Sequence, residues 1–308
     1  ALFVMLVICI IRSCTLEGAS EGLKYMFVPG WALANGVIKE APDFFSVVST
    51  AGGQMFFSLS LGMAAMITYG SYLDKKENLQ KNAIIIVVMD TLVALMAGLC
   101  VIPGRFALDP TGKLGGPSLL FVTMQNVFDR MGAAGPIFGI LFYLLVVFAA
   151  ISSSISLLEA VVAHFVDKAR EQGKGDKRKL YSVLAGIAAG ILCVIVCLDS
   201  LGSAGISPAD ILGMRGTMEK LPTWSADWLD FFDCIAEGIL MPLGALLMCL
   251  CIGWELGPKM VDDECCLEGN RFKSKAFFNV CVKYITPIIM ILILAGQLDS
   301  FFGLGWFS

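Results

Sequence analysis

Three stretches hold groups that could grip a small polar solute or a cation. "FSLSLG" at 57–62 supplies Ser58, Ser60 and Gly62, and "FAAISSSISLLEA" at 148–160 supplies four serines and Glu159. Between them a single carboxylate, Asp90, stands inside "IIIVVMDTLVALMAG" (84–98). Hydroxyl, carbonyl and carboxylate oxygens are what a hard cation prefers. A lone serine in an apolar helix, however, most often bonds back to a carbonyl of the preceding turn. Asp90 is the sharpest of these residues. An ionised carboxylate in hydrocarbon costs several kcal/mol, so it must face a cation or water, or pair with a lysine or arginine of another helix.

The elements that carry these residues belong in a membrane. Of 308 residues, 57% are hydrophobic and 16% charged, and the mean hydropathy is +0.80. A soluble domain usually carries about 25% charge. Here the charges gather in short runs between long apolar stretches, the pattern of a polytopic all-α membrane protein. The net charge of −4 identifies no partner. Eleven cysteines do not make a disulfide framework, because Cys9, Cys100, Cys193, Cys197, Cys249 and Cys251 lie in apolar runs where they act as small hydrophobes. Cys265 and Cys266 are adjacent in a polar loop, and one histidine, His164, does not suit a zinc site.

A window of about 20 apolar residues spans a bilayer. Seven spans are expected, at about 1–13, 44–73, 82–103, 134–166, 180–200, 228–255 and 276–298. The first opens at "ALFVMLVICII", without the basic start and cleavage site of a signal peptide, and reads as a helix cut through in a longer protein. Loops 74–81, 167–179 and 257–276 hold three, six and four basic residues, whereas 14–43, 104–133 and 199–224 hold two, three and two. The richer loops are the shorter ones, so they are expected in the cytoplasm and the C-terminal "DSFFGLGWFS" outside.

Spans 44–73 and 134–166 concentrate polar and small residues near mid-depth, the first with Gly52, Gly53, Gln54, Ser58, Ser60 and Gly62. Non-helical backbone at that depth is tolerated only where it is buried in protein or lines a cavity. Discontinuous helices in this position are how many secondary transporters hold ions and substrates. The first span is therefore expected to break between about Phe57 and Gly62, with glycine allowing the backbone to leave helical geometry cheaply.

"GQMFFSLSLGMAAMITYGSY" resembles the sixth transmembrane helix of the sodium:neurotransmitter symporter family, in a bacterial amino-acid-transporter form. The likeness continues in order through "MDTLVALMAGLCVIP", "GGPSLLFVTMQNVFDRM", "FAAISSSISLLEA" and "KYITPIIMILIL". It implies part of the inverted-repeat (5+5) sodium symporter fold with broken helices, running from within helix five through helix eleven and lacking the first four. The end of the first repeat would be 1–43, the second repeat about 44–256, and an additional helix about 276–298. The whole would form one transmembrane domain.

The resemblance also implies roles. Phe57, Ser58, Ser60, Gly62, Met63, Ser153 and Leu157 would border an amino-acid substrate, with Phe57 as an external lid and Met63 replacing an aromatic residue. Plain packing is the other reading of Met63. Two sodium ions are implied, one at Ser58 and Asp90, the other at the Ala149 carbonyl with the Ser152 and Ser153 hydroxyls. Asp90 stands where members carry a sodium-ligating asparagine beside a chloride site, so chloride would not be required. Ser154 is expected to be structural. Glu159 is expected to be a buried carboxylate in a hydrogen-bond network with a neighbouring helix, proton coupling being the alternative. Tyr69, Tyr72 and Asp167 would close the inner gate, and Asp230 or Asp233 the outer one. Loop 104–133 is expected to dip into the outer vestibule or to be a stapled surface loop.

The expected function is sodium-coupled uptake of hydrophobic or aromatic amino acids across the plasma membrane by alternating access. The alternatives are a channel or a sodium-independent permease. A channel usually repeats a pore motif, which is not seen. An enzyme would need a catalytic pair, and His164 has no nucleophile beside it in sequence, so no enzyme is expected. The partners are the substrate and the lipid bilayer, with no nucleic acid, and the oligomeric state stays open.

Overall fold

A computed structural model describes residues 2–108, 119–217 and 221–303. Among these residues the chain is a series of helices joined by turns and short irregular segments, with no strand. Helices α1 (Leu2–Cys14) and α2 (Ala19–Phe27) are followed by α3 (Phe44–Ser58) and the short α4 (Ala65–Gly70). Then come α5 (Leu79–Leu108), α6 (Met124–Asp129), α7 (Gly135–Glu171), α8 (Arg178–Asp199), α9 (Trp228–Glu255), α10 (Lys259–Cys265) and α11 (Lys275–Phe302). Among the described residues five helices are long and apolar enough to cross a membrane, those of α5, α7, α8, α9 and α11. Every span expected from the sequence has its helix, and span 44–73 is divided between α3 and α4.

Two compact units are present, one of residues 1–42 and 85–154, the other of 43–84 and 155–308. The first is built on Leu6, Cys9, Cys100, Met124, Phe128 and Phe142, all buried. Segment 119–131 buries one side and exposes the other. A π turn at Leu119–Thr123 leads into α6, and Thr123, Met124, Val127 and Phe128 are nearly or fully inaccessible. The "GGPS" of the same loop lies outside the described residues.

The second unit centres on Phe56, Met241, Ala245, Met290 and Ile293, with Leu61 and Met63 packed against them. Ser49, Gly52, Gly53 and Phe56 recur at helical spacing and form the buried face of α3. A Cβ on Gly53 would come within 2.8 Å of Gln297 Nε2, and one on Gly296 within 2.5 Å of Ser49 Oγ. Close approach then allows two cross-helix bonds. Ser49 Oγ donates to the Ile293 carbonyl at 3.3 Å, and Gln297 Nε2 donates to the Ser49 carbonyl at 3.1 Å. Gly52 and Gly53, grouped in the sequence with the polar mid-span residues, thus serve to seat α3 on α11.

Two long helices are not regular throughout. In α9, π turns occupy Cys234–Leu240 and Cys251–Glu255, and in α11 one occupies Cys281–Ile285. The first and last of these end just before Pro242 and Pro287. Proline has no N–H and its ring crowds the carbonyl one turn back, and widening the turn relieves both.

Candidate functional site

The backbone leaves helical geometry where the serines and glycine of "FSLSLG" stand. Helix α3 ends at Ser58 and closes with two bonds, Leu61 N–H to the Phe56 carbonyl at 2.8 Å and Ser60 N–H to the Phe57 carbonyl at 3.1 Å. That pair is a Schellman ending, with Ser60 at φ 54° in the left-handed position usually taken by glycine. Two more left-handed residues follow, Gly62 at φ 76° and Ala64 at φ 63°, before α4 begins at Ala65. A non-glycine residue held there costs about 1–3 kcal/mol and persists only where its surroundings enforce it.

Those surroundings are the backbone of α9. A Cβ on Gly62 would collide with the Met241 carbonyl, and one on Gly244 would collide with the carbonyl of Gly62. The unwound segment is therefore pressed main chain to main chain against Met241–Gly244. Around it, Phe57 is 49% exposed whereas its neighbour Phe56 is fully buried. Met63 packs half-buried onto the Phe56–Met241 cluster, so the packing reading accounts for its contacts.

Asp90 lies half-buried in the middle of α5. The neighbouring Thr91 hydroxyl bonds back to Val87 at 2.9 Å. On α7, Ser152 Oγ donates to the Ala149 carbonyl at 2.8 Å, which brings two of the expected sodium ligands together. Ser154 Oγ donates to the Ala150 carbonyl at 2.8 Å, the structural back-bond expected of it. Asp90, Ala149, Ser152 and Ser153 belong to the first unit, and the broken segment and Leu157 belong to the second.

At the far end of α4 a second constellation forms. Tyr72 donates its hydroxyl to Glu159 Oε1 at 2.7 Å, and the Arg178 guanidinium pairs with the same oxygen. Tyr72 and Arg178, together with Thr68, His164, Asp167 and Arg170, line a cavity of about 360 Å3. The Glu159 side chain is 21% exposed, so the expected network is present but the carboxylate is not fully buried. Asp176 accepts from the Arg178 N–H at 2.9 Å and from the Arg170 side chain at 3.3 Å. Both bonds, the backbone one foremost, hold its carboxyl below the usual range. Arg178 escaped the sequence reading, which counted it only as loop charge. Its partner lies 19 residues earlier, beyond any helical spacing.

Asp230 and Asp233 occupy the opening turns of α9 and are both exposed. The start of that helix is fixed from two directions. Asp227 accepts from the Asp230 N–H at 2.7 Å, and the buried Asp199, at the end of α8, accepts from the Trp228 N–H at 2.9 Å.

Long apolar helices, beside one unwound between two half-helices, are features that secondary membrane transporters share. The model of the sodium:neurotransmitter symporter family matches residues 1–306, and the chain belongs to that family. It is 31% identical over 297 residues to an uncharacterised sodium-dependent transporter, YhdH, of Bacillus subtilis, covering 95% of this chain and 58% of that protein. A sodium-dependent nutrient amino acid transporter 1 of Drosophila melanogaster is 26% identical, with 94% of this chain and 41% of that one covered. Among solved structures, the crystal structure of MhsT in complex with L-phenylalanine matches with a TM-score of 0.77 and 32% identity. It covers 96% of this chain and 60% of that one. The chain thus spans well under two thirds of the length of these relatives, and its fold is that of the sodium symporters with broken helices.

Proposed function

We propose that the protein of which this chain is part carries amino acids with hydrophobic or aromatic side chains into the cell, driven by sodium, through alternating access. The observation that carries the reading is the unwound segment Leu59–Ala64, with its three left-handed residues held between half-helices in a chain of this family. Phe57, Ser58, Ser60, Gly62 and Met63 on that segment, with Ser153 and Leu157 on α7, are the proposed substrate contacts. Exposed apolar surface at Phe57 and Leu157 favours an apolar side chain over a charged one.

Two sodium ions are proposed, one at Ser58 and Asp90, the other at the Ala149 carbonyl, Ser152 and Ser153. Chloride is not required in this scheme, because Asp90 supplies a fixed negative charge beside the cation. Tyr72 and Asp167 form the inner gate, with the Glu159–Arg178 pair beside them, and Asp230 or Asp233 serves the outer one. The basic loops lie in the cytoplasm and the C-terminus outside, its last residues 304–308 being outside the described ones.

Uptake of radiolabelled leucine, tyrosine and tryptophan into vesicles holding the full-length protein tests the reading. Accumulation in sodium and its loss in choline are expected. Equal uptake in both media would leave a sodium-independent permease, and uptake that never exceeds equilibrium would leave a channel.

A further inference from the structure

The connection between α9 and α11 carries a cavity of about 470 Å3, lined among others by Lys259, Asp262, Lys275, Asn279, Lys283 and Tyr284. Its three lysines are not equivalent. Lys275 pairs with Asp262 at 3.0 Å, and Asp262 is only 3% exposed, so that charge is neutralised within the protein. Among the described residues Lys259 and Lys283 make no ion pair, although Asp263 lines the same cavity.

Lys283 lies eight residues into the membrane-spanning Lys275–Phe302, within the π turn Cys281–Ile285. At 1.5 Å per residue that is about 12 Å along the helix from its start. A bare ammonium at such a depth is costly, and a lysine there directs its stem along apolar surface toward the headgroups. Its backbone is held in place, the carbonyl of Lys283 accepting from the Trp254 indole at 3.2 Å. Trp254 and Tyr284 stand edge to face at 5.9 Å and are 64% and 54% exposed. Trp254 stands next to the last residue of its span, where an exposed tryptophan marks the level of the lipid headgroups.

Two unpaired cations converging on a cavity, with amphipathic rings beside it at the bilayer border, match one kind of occupant. We propose that this cavity binds an anionic phospholipid of the leaflet on the basic-loop side, with Lys259 and Lys283 as the phosphate ligands. Trp254 and Tyr284 lie against its glycerol and upper acyl chain. Basic pockets between transmembrane helices on the cytoplasmic side are suited to such headgroups.

Native mass spectrometry of the purified full-length protein, titrated with phosphatidylglycerol or phosphatidylcholine, tests the site. One lysine near an anionic headgroup contributes about a fivefold change in affinity, so Lys259→Gln with Lys283→Gln weakens phosphatidylglycerol binding about 25-fold. Phosphatidylcholine binding is expected to be unchanged. A control with Lys177→Gln and Lys179→Gln removes equal charge from another basic loop and is expected to behave as wild type. If the double variant fails to fold, as judged by thermal melting in detergent, each single variant is expected to show the fivefold loss. Unchanged phosphatidylglycerol affinity in the variants, or an equal loss in the control, overturns the proposal. So does displacement of the lipid by millimolar inorganic phosphate, which would make the site one for the free ion.

Discussion

The hydroxyl of Tyr72 and the guanidinium of Arg178 meet on a single oxygen of Glu159, Tyr72 at 2.7 Å. One carboxylate therefore ties the turn after α4 to α7 and to the first residue of α8. Movement of α4 and the turn after it away from α7 must break the bond from Tyr72, and Arg178 fixes the acceptor in place.

Glu159→Gln keeps an acceptor for Tyr72 but removes the ion pair. We expect the variant to fold and bind substrate while its inner side opens more readily. A cysteine placed at Thr68, in the cavity wall, should react faster with a membrane-impermeant maleimide added from the cytoplasmic side, by up to about fivefold for a surface-accessible pair worth up to about 1 kcal/mol.

Gly62→Ala should abolish transport and lower thermal stability, because the added methyl meets the Met241 carbonyl at a left-handed backbone position. The expected loss is about 1–3 kcal/mol or more. Gly173→Ala is the comparison, a left-handed glycine with open space around it. It should cost only the backbone strain and leave uptake intact.

Asp90→Asn is expected to weaken sodium activation of uptake by at least tenfold, or to abolish it. Wild type should work equally in sodium gluconate and sodium chloride. Equal activity of both proteins in gluconate would remove Asp90 from the ion site.

Ser152 and Ser154 each make a back-bond at 2.8 Å, to the carbonyls of Ala149 and Ala150, and the proposed ion site gives a ligand role to Ser152 alone. The proposed sodium site predicts inequality. Ser152→Ala should raise the sodium concentration for half-maximal uptake several-fold, and Ser154→Ala should leave it within about twofold.

The spans were legible in the sequence because hydrocarbon admits few patterns, and the unwinding near Ser58–Gly62 because hydroxyls and glycine at mid-depth need a reason. The partners of those groups were less legible. Gly52 and Gly53 look like helix breakers in one dimension, and only the presence of Ile293 and Gln297 opposite shows them to be packing surface. Glu159 announced a network, yet nothing in its neighbourhood named Arg178. The π turns Cys234–Leu240 and Cys281–Ile285 did have a signal, Pro242 and Pro287 inside apolar spans, since a proline within a helix demands a local adjustment.

Neither Gly62 nor Gly244 can gain even a methyl group, and no compensating change at a neighbouring side chain can help, because each meets main chain. Ordinary pairwise co-evolution, in which one side chain shrinks as its partner grows, has no purchase on such a contact. A descendant that lost either glycine would have to carry one helix bodily away from the other, and with it the depth at which the chain unwinds. The contact of Gly62 with the Met241–Gly244 backbone thus resists drift because main chain alone makes it.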